Sequence, residues 1–209
     1  KRLPVYLLVD TSASMTVSSA KLSKYALAVH LAGGLAMACL ERVSPVALVG
    51  VGQRELRYSP SLSRDRILQW LHQLRHYRVD EETRLTRRLA ELGAILHEKS
   101  LLIVLSDLHE PAAIPAFKQL AQQHDCVALQ LTDPGEESLR GVGWFRGQEA
   151  ETGREFVSRG QGLGIDQAAL TADLRRGQVD HLQTRTDQPF VQRLRHFFKS
   201  RGLLGRGVR

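Results

Sequence analysis

Along this chain, unbroken apolar runs alternate with stretches whose apolar positions recur every three to four residues. The runs are Val5 to Val9, Val46 to Val51, Leu101 to Leu105, and Cys126 to Leu131 with Gln130 as its one polar member. Such runs, without alternation, read as strands covered on both faces, the pattern of a parallel sheet. Helical spacing marks the segments between them. One helix is expected from about Ala20 to Leu40, capped by Ser18 or Ser19 and apolar nearly all round, so it should lie buried on the sheet. A second opens at Ser63-Arg64-Asp65-Arg66 and carries Ile67, Leu68, Leu71 and Leu74. A third runs from a Thr83 cap through Leu85, Leu89, Leu92 and Ile95 to about His97. A fourth starts between Pro111 and Pro115 and turns Phe117 and Leu120 inward.

Shorter signals fill the gaps. Gly52-Gln53-Arg54 is a turn ahead of Glu55 to Ser59, an antiparallel edge strand in a hairpin. Gly143 to Ser158 reads as a second hairpin, around Glu151-Thr152-Gly153-Arg154. Asp166 caps a short helix stopped by Gly177, and a last helix spans about Gln188 to Ser200. Strands alternating with helices predict a doubly wound, mostly parallel α/β domain with helices on both faces. With the common 3-2-1-4-5 order, the first strand and the strand at Leu101 are neighbours where the winding reverses. The fold is expected to occupy residues 1–201 as a single domain, followed by a glycine-rich basic tail at 202–209.

Two of the apolar runs end in oxygen donors. Val9 is followed by Asp10, Ser12 and Ser14, and Leu105 by Ser106 and Asp107. In an open α/β sheet, ligands bind beyond the carboxyl ends of the strands, so Asp10 and Asp107 should face one crevice. A carboxylate and two hydroxyls on one short loop are hard donors that suit Mg²⁺, with Mn²⁺ or Ca²⁺ as alternatives. The plainer reading of the loop is a strand-end turn whose side chains cap the backbone, and for Asp107 an Asx turn. Thr83 can serve as helix cap, as ligand, or as both. Two carboxylates this close repel when no cation lies between them, so Asp107→Asn is expected to stabilise the metal-free protein.

Composition narrows the function classes. The formal net charge is +7, yet the arginines are scattered apart from Arg84, Arg87 and Arg88, Arg175 and Arg176, and the C-terminal end. With no zinc-finger spacing or aromatic-interleaved basic strand, a nucleic-acid partner is not expected. Cys39 and Cys126 fall in a helix and a strand, as free thiols of a reducing compartment would. Residues 26–40 are too short an apolar stretch to span a bilayer. The expected location is cytoplasmic. A chain that opens at Lys1 and enters a strand almost at once also suggests a fragment of a longer protein.

Together, Asp10, Ser12, Ser14, Thr83 and Asp107 resemble the metal-ion-dependent adhesion site of von Willebrand factor A domains: Asp-x-Ser-x-Ser after the first strand, a later Thr, and an Asp after the fourth strand. The likeness in fold runs from Leu3 to about Leu131. Such domains often place Gly-Gly before the Thr, where this chain has Glu81 and Glu82, and Thr86 competes for the Thr position. In the second half, Asp133-Pro134, Glu136, Gly143, Glu151-Thr152-Gly153, Thr186-Asp187, Phe197-Phe198 and Arg201 are similar to the domain-of-unknown-function family number fifty-eight. That family consists of bacterial proteins built on a von Willebrand A-like core, and the likeness implies a family-specific extension from about residue 133.

The resemblance implies a non-enzymatic protein-interaction module with no catalytic residue, whose metal takes a partner's Asp or Glu. It further implies an adaptor for a MoxR-type AAA+ ATPase and a membrane tether through sequence upstream of this chain. Arg84, Arg87 and Arg88, if they rim the crevice, would favour an acidic partner. The main rival is a haloacid-dehalogenase-type phosphohydrolase with Asp10 attacking phosphorus. Those enzymes carry a second Asp two residues on, where this chain has Ser12.

Overall fold

The computed structural model describes residues 3–76, 78, 80–138, 144–148, 155–159 and 165–201. Its centre is a six-stranded sheet of β1 (Val5–Val9), β2 (Val46–Gly50), β3 (Arg57–Ser61), β4 (Leu101–Ser106), β5 (Asp125–Thr132) and β8 (Val179–Arg185). The order across the sheet is β3-β2-β1-β4-β5-β8, parallel throughout except for the antiparallel β2–β3 pair at one edge. The four central strands, β2, β1, β4 and β5, are those read from the apolar runs. Nothing polar was needed on either face because helices cover both.

On one face lie α1 (Lys24–Glu41), α2 (Arg64–Leu74) and α7 (Val191–Ser200). They pack Tyr25, Leu31, Ile67, Leu74 and Phe198 on Val5, Leu7, Val9, Ile103 and Leu129. The other face carries α3 (Leu85–Ile95), α4 (Ala113–Leu120) and α6 (Gln167–Arg176). Leu89, Leu92, Phe117 and Leu174 there meet Leu8, Val49, Leu102, Val104 and Ala128. Alternate residues of one strand thus feed two cores, as a period of two requires. A single turn of 3₁₀ helix (Ala13–Thr16), the five-residue α5 (Pro134–Ser138) and a separate hairpin of β6 (Trp144–Gln148) with β7 (Glu155–Arg159) complete the described elements. The expected turn of that hairpin lies outside the described residues, as does the tail from residue 202.

Several boundaries differ from the sequence pattern, each for a local reason. The first long helix starts at Lys24 because Ser23 is its cap, accepting from the Ala26 N–H at 3.0 Å. Ser18 and Ser19 are instead held by Asp133, with Ser19 N donating to its carboxylate at 3.0 Å. The edge strand lies two residues later than expected. Thr83 does not cap α3. Its cap position falls on Arg84, which makes no side-chain cap bond, and Glu110 from the loop after β4 accepts from Leu85 N at 2.9 Å and Thr86 N at 3.3 Å. The hydrophobic pattern does not predict β8. Its residues are mixed in polarity and only Val179 and Thr184 are buried, so it carries no apolar run, yet it pairs with β5 along seven residues.

Candidate metal centre

The site forms where the chain leaves β1 and β4. The two strands pair in register, Val9 opposite Leu105, and Asp10 N donates to Leu105 O at 2.9 Å. That register puts Asp10 opposite Ser106, whose hydroxyl donates to Asp10 Oδ2 at 2.5 Å and accepts from Leu108 N at 3.0 Å. The other oxygen, Oδ1, accepts from Ser12 N at 3.0 Å. Asp107 follows one residue later. Leu108, buried and at φ 59°, forces the loop into the left-handed region that side chains rarely adopt, and the turn it makes brings His109 back over Asp107.

Ser12 and Ser14 face each other, with their Oγ atoms 3.1 Å apart. Thr83 reaches this edge by a different route. The segment before α3 continues the sheet ladder past β2: Val51 N donates to Val9 O at 2.9 Å, Arg84 N to Val51 O at 2.6 Å, and Thr83 forms a bridge with Gly52. Ala13, between the two serines, donates its N–H to Glu81 O at 2.7 Å. The structure therefore brings the Asp10-Ser12-Ser14 loop, the Thr83 segment and Asp107 to one end of the sheet. Thr83 Oγ1 lies 3.5 Å from Glu110 Oε2, whereas Thr86 Oγ1 is buried with no hydrogen-bond partner.

Glu81, one of two residues standing where Gly-Gly is usual, is buried and fully engaged. It accepts from Thr11 Oγ1 at 2.8 Å, from Arg54 N at 3.0 Å and from Arg54 Nε at 2.7 Å. Gly52 makes room for it, since a Cβ there would fall 2.1 Å from Glu81 Oε1. Of the arginines expected at the rim, Arg84 is partly exposed and Arg87 exposed, but Arg88 is buried and paired with Glu55 and Glu91.

The residue that sequence reasoning passes over is Lys24. It stands at the start of α1 on the same buried stripe as Ala28 and Leu31, with no exposed surface. Its ammonium donates to Asp107 Oδ2 at 2.9 Å and to Glu136 Oε1 on α5. His109 Nδ1 also lies 3.0 Å from Asp107 Oδ2. The only sequence signal for this is a lysine on the face of a helix otherwise made to be buried.

The two aspartates consequently titrate in opposite directions. Burial, then the nearby Asp107 charge, pushes the Asp10 carboxyl up to about 6, although its bonds from Ser106 and Ser12 pull the other way. Burial also acts on Asp107, but the Lys24 ammonium and His109 outweigh it and hold its carboxyl well below the usual range. For Lys24, burial is opposed by Asp107 and Glu136, which together keep the ammonium charged. The His109 imidazole is likewise held above its ordinary value by Asp107 against the effect of burial.

The donor set suits a hard divalent ion. In an octahedron with bonds of about 2.1 Å, neighbouring ligands lie about 3 Å apart, the separation of the two serine hydroxyls. Asp10, with both oxygens already engaged, fits a role behind the ion, orienting waters. Asp107, His109 and Glu136 form a second grouping whose ligand atoms lie within 4.8 Å of one another and could hold a metal, with the Lys24 ammonium bonded to both of its carboxylates.

A doubly wound sheet with an Asp-x-Ser-x-Ser loop at its switch point defines a von Willebrand A-like domain. The chain is similar in fold to the conserved hypothetical protein BatB from Bacteroides thetaiotaomicron, with TM-score 0.63 and 12% identity over 96% of this chain and 98% of that one. It is also similar to the SpRpn10 VWA domain, with TM-score 0.53 and 11% identity over the whole of both chains. No curated protein matches it in sequence. Residues 1–162 match the family described as protein of unknown function DUF58, and the chain belongs to that family. Among the described residues no helix is long and apolar enough to cross a membrane.

Proposed function

We propose that this domain is a non-enzymatic, divalent-metal-dependent protein-interaction module whose site residues are Asp10, Ser12, Ser14, Thr83 and Asp107. The observation that carries the reading is the pair of serine hydroxyls 3.1 Å apart at the carboxyl end of β1, with Asp10 behind them and Asp107 on the adjoining strand. A hard divalent ion seated there, Mg²⁺ first among candidates, would offer an open coordination position to an Asp or Glu of a partner protein. Ser12 and Ser14 bind directly. Asp10 and Asp107 orient waters around them, and Thr83 or the unpartnered hydroxyl of Thr86 supplies the third alcohol. Arg84, partly exposed, and the exposed Arg87 favour an acidic partner.

A partner of the MoxR AAA+ class fits this reading as a protein for which the domain acts as adaptor, in the cytoplasm or at a membrane. Phosphoryl chemistry is disfavoured. Asp10 has both oxygens committed to Ser12 and Ser106, and the place of a second acid is taken by Ser12. Thermal unfolding with and without Mg²⁺ tests the proposal: the ion should raise the melting temperature of the wild type and leave Asp10→Ala unmoved. At a hundredfold excess over Kd, mass action gives about 2.7 kcal/mol of stabilisation. An equal response in Asp10→Ala, or phosphatase turnover lost in Asp10→Asn, would overturn it.

A further inference from the structure

Asp107, one of the two carboxylates of the proposed cation site, is already in a buried charge pair. Lys24 Nζ sits 2.9 Å from Asp107 Oδ2 with no solvent exposure, and the same ammonium bonds Glu136, whose side chain is about a quarter exposed. With His109 Nδ1 at 3.0 Å, Oδ2 of Asp107 is fully engaged inside the protein. Oδ1 accepts only a long bond from His109 N, at 3.3 Å, and is the oxygen left to face a cation or its waters. Much of the charge that Asp107 brings to the site is therefore already met by an ammonium that is walled in and cannot swing to solvent.

We propose that Lys24 and Glu136 set the cation affinity of this site in opposite directions, Lys24 holding it down and Glu136 partly restoring it. The inference rests on the proposed metal site and concerns its regulation. An ammonium bonded to one of two site carboxylates repels an incoming divalent ion, and in the partly desolvated interior a unit charge several ångströms away changes affinity by about tenfold. Glu136 screens that ammonium from the other side. Since it rides on the five-residue α5, which is joined to β5 through Asp133, any movement of α5 changes how much of the Lys24 charge the cation meets. A weakly held ion keeps more of its positive charge for a partner's carboxylate, so an acidic partner contributes more to holding it.

The test is isothermal titration of Mg²⁺ into the full chain for wild type, Lys24→Met, Glu136→Gln and Asp10→Ala. Lys24→Met should bind Mg²⁺ about tenfold more tightly than wild type, and Glu136→Gln about threefold more weakly. Opposite signs separate charge from damage, because a disturbed fold would weaken both. Lys24→Met leaves two carboxylates without their ammonium. If it fails to fold by circular dichroism, the double variant Lys24→Met/Glu136→Gln, which leaves only Asp107 without the ammonium, takes its place and should still bind Mg²⁺ more tightly than wild type. A folded Lys24→Met that binds no more tightly than wild type, or a Glu136→Gln that binds as well as wild type, overturns the inference. If wild type binds Mg²⁺ and Asp10→Ala does not, those outcomes leave the metal site standing. No binding by wild type and both charge variants removes the site and this inference together.

Discussion

Asp10 and Asp107 are nearly the same residue by position. Each follows an apolar run, Asp10 directly after Val9 and Asp107 one residue later, after Ser106; the two strands are parallel neighbours in register, and both side chains are almost completely buried. Their electrostatics are opposite. Asp10 is satisfied by neutral donors, the Ser12 N–H and the Ser106 hydroxyl, and its carboxyl is pushed up to about 6. Asp107 meets an ammonium and an imidazole, and its carboxyl is held low. Burial raises the cost of charge at both, so the difference lies in the partner: two neutral hydrogen bonds do not replace a counter-ion.

The strongest way to break this contrast is Asp107→Asn. Removing one side of a buried ion pair leaves Lys24 with only the partly exposed Glu136, and a loss of about 3–5 kcal/mol is expected in urea unfolding at neutral pH. This reverses the expectation from sequence, where repulsion between the aspartates made the same change stabilising. A variant as stable as wild type or more so would restore that view.

Asp10→Asn should do the opposite. Because the folded-state value of Asp10 is raised, the folded protein holds its proton more tightly than the unfolded chain does, and metal-free stability falls as pH rises from about 4 through about 6. The amide escapes that loss, so the variant should match wild type near pH 4 and exceed it by about 3 kcal/mol at pH 7. Asp107, held low, acts with the reverse sign: its stabilisation is present above the usual carboxylate range and is lost as pH falls below about 4. Urea unfolding of both variants across pH 3–8 checks the two signs together, and parallel profiles would erase the contrast. Saturating Mg²⁺ should flatten the wild-type fall between pH 4 and 6, since a bound cation supplies the counter-charge Asp10 lacks.

The smallest expected effect lies at the rim. Glu110→Ala removes the side chain that accepts from the first amides of α3 and should cost about 1 kcal/mol, the usual value of a helix cap. A loss of several kcal/mol would show that Glu110 supports the Thr83 segment as well as the helix.

The central strands are plain in the sequence, and the common doubly wound order assumed for them brings Asp10, Ser12, Ser14 and Asp107 to one edge, although it leaves out β8. Five or six apolar residues in a row, with no polar alternation, fit a strand covered on both faces and little else. What stays hidden depends on partners distant in sequence. Lys24 looks like a flanking charge of an apolar helix, since a lysine is rarely buried and its two acids arrive from 83 and 112 residues away. Glu110, capping α3 across a gap of 25 residues, defeats a rule that looks for the cap beside the helix. β8, half-buried at a sheet edge, has no run to read. Asp133 and Glu136 stand out in the sequence only as a turn within a family pattern, whereas they tie β5, the Ser18-Ser19 loop and Lys24 together.

β8 also decides how this domain can be cut. The family match ends at residue 162, seventeen residues before the strand begins at Val179. A piece trimmed to that match would leave β5 as the outer strand, eight residues long with Cys126 to Leu129 and Leu131 apolar, and with a full row of unpaired amides and carbonyls. Long, mostly apolar edges of that kind recruit other chains. Such a fragment should self-associate, while one kept through Arg201, whose guanidinium pairs with Asp125 and Asp180 at the starts of both strands, should stay monodisperse in gel filtration.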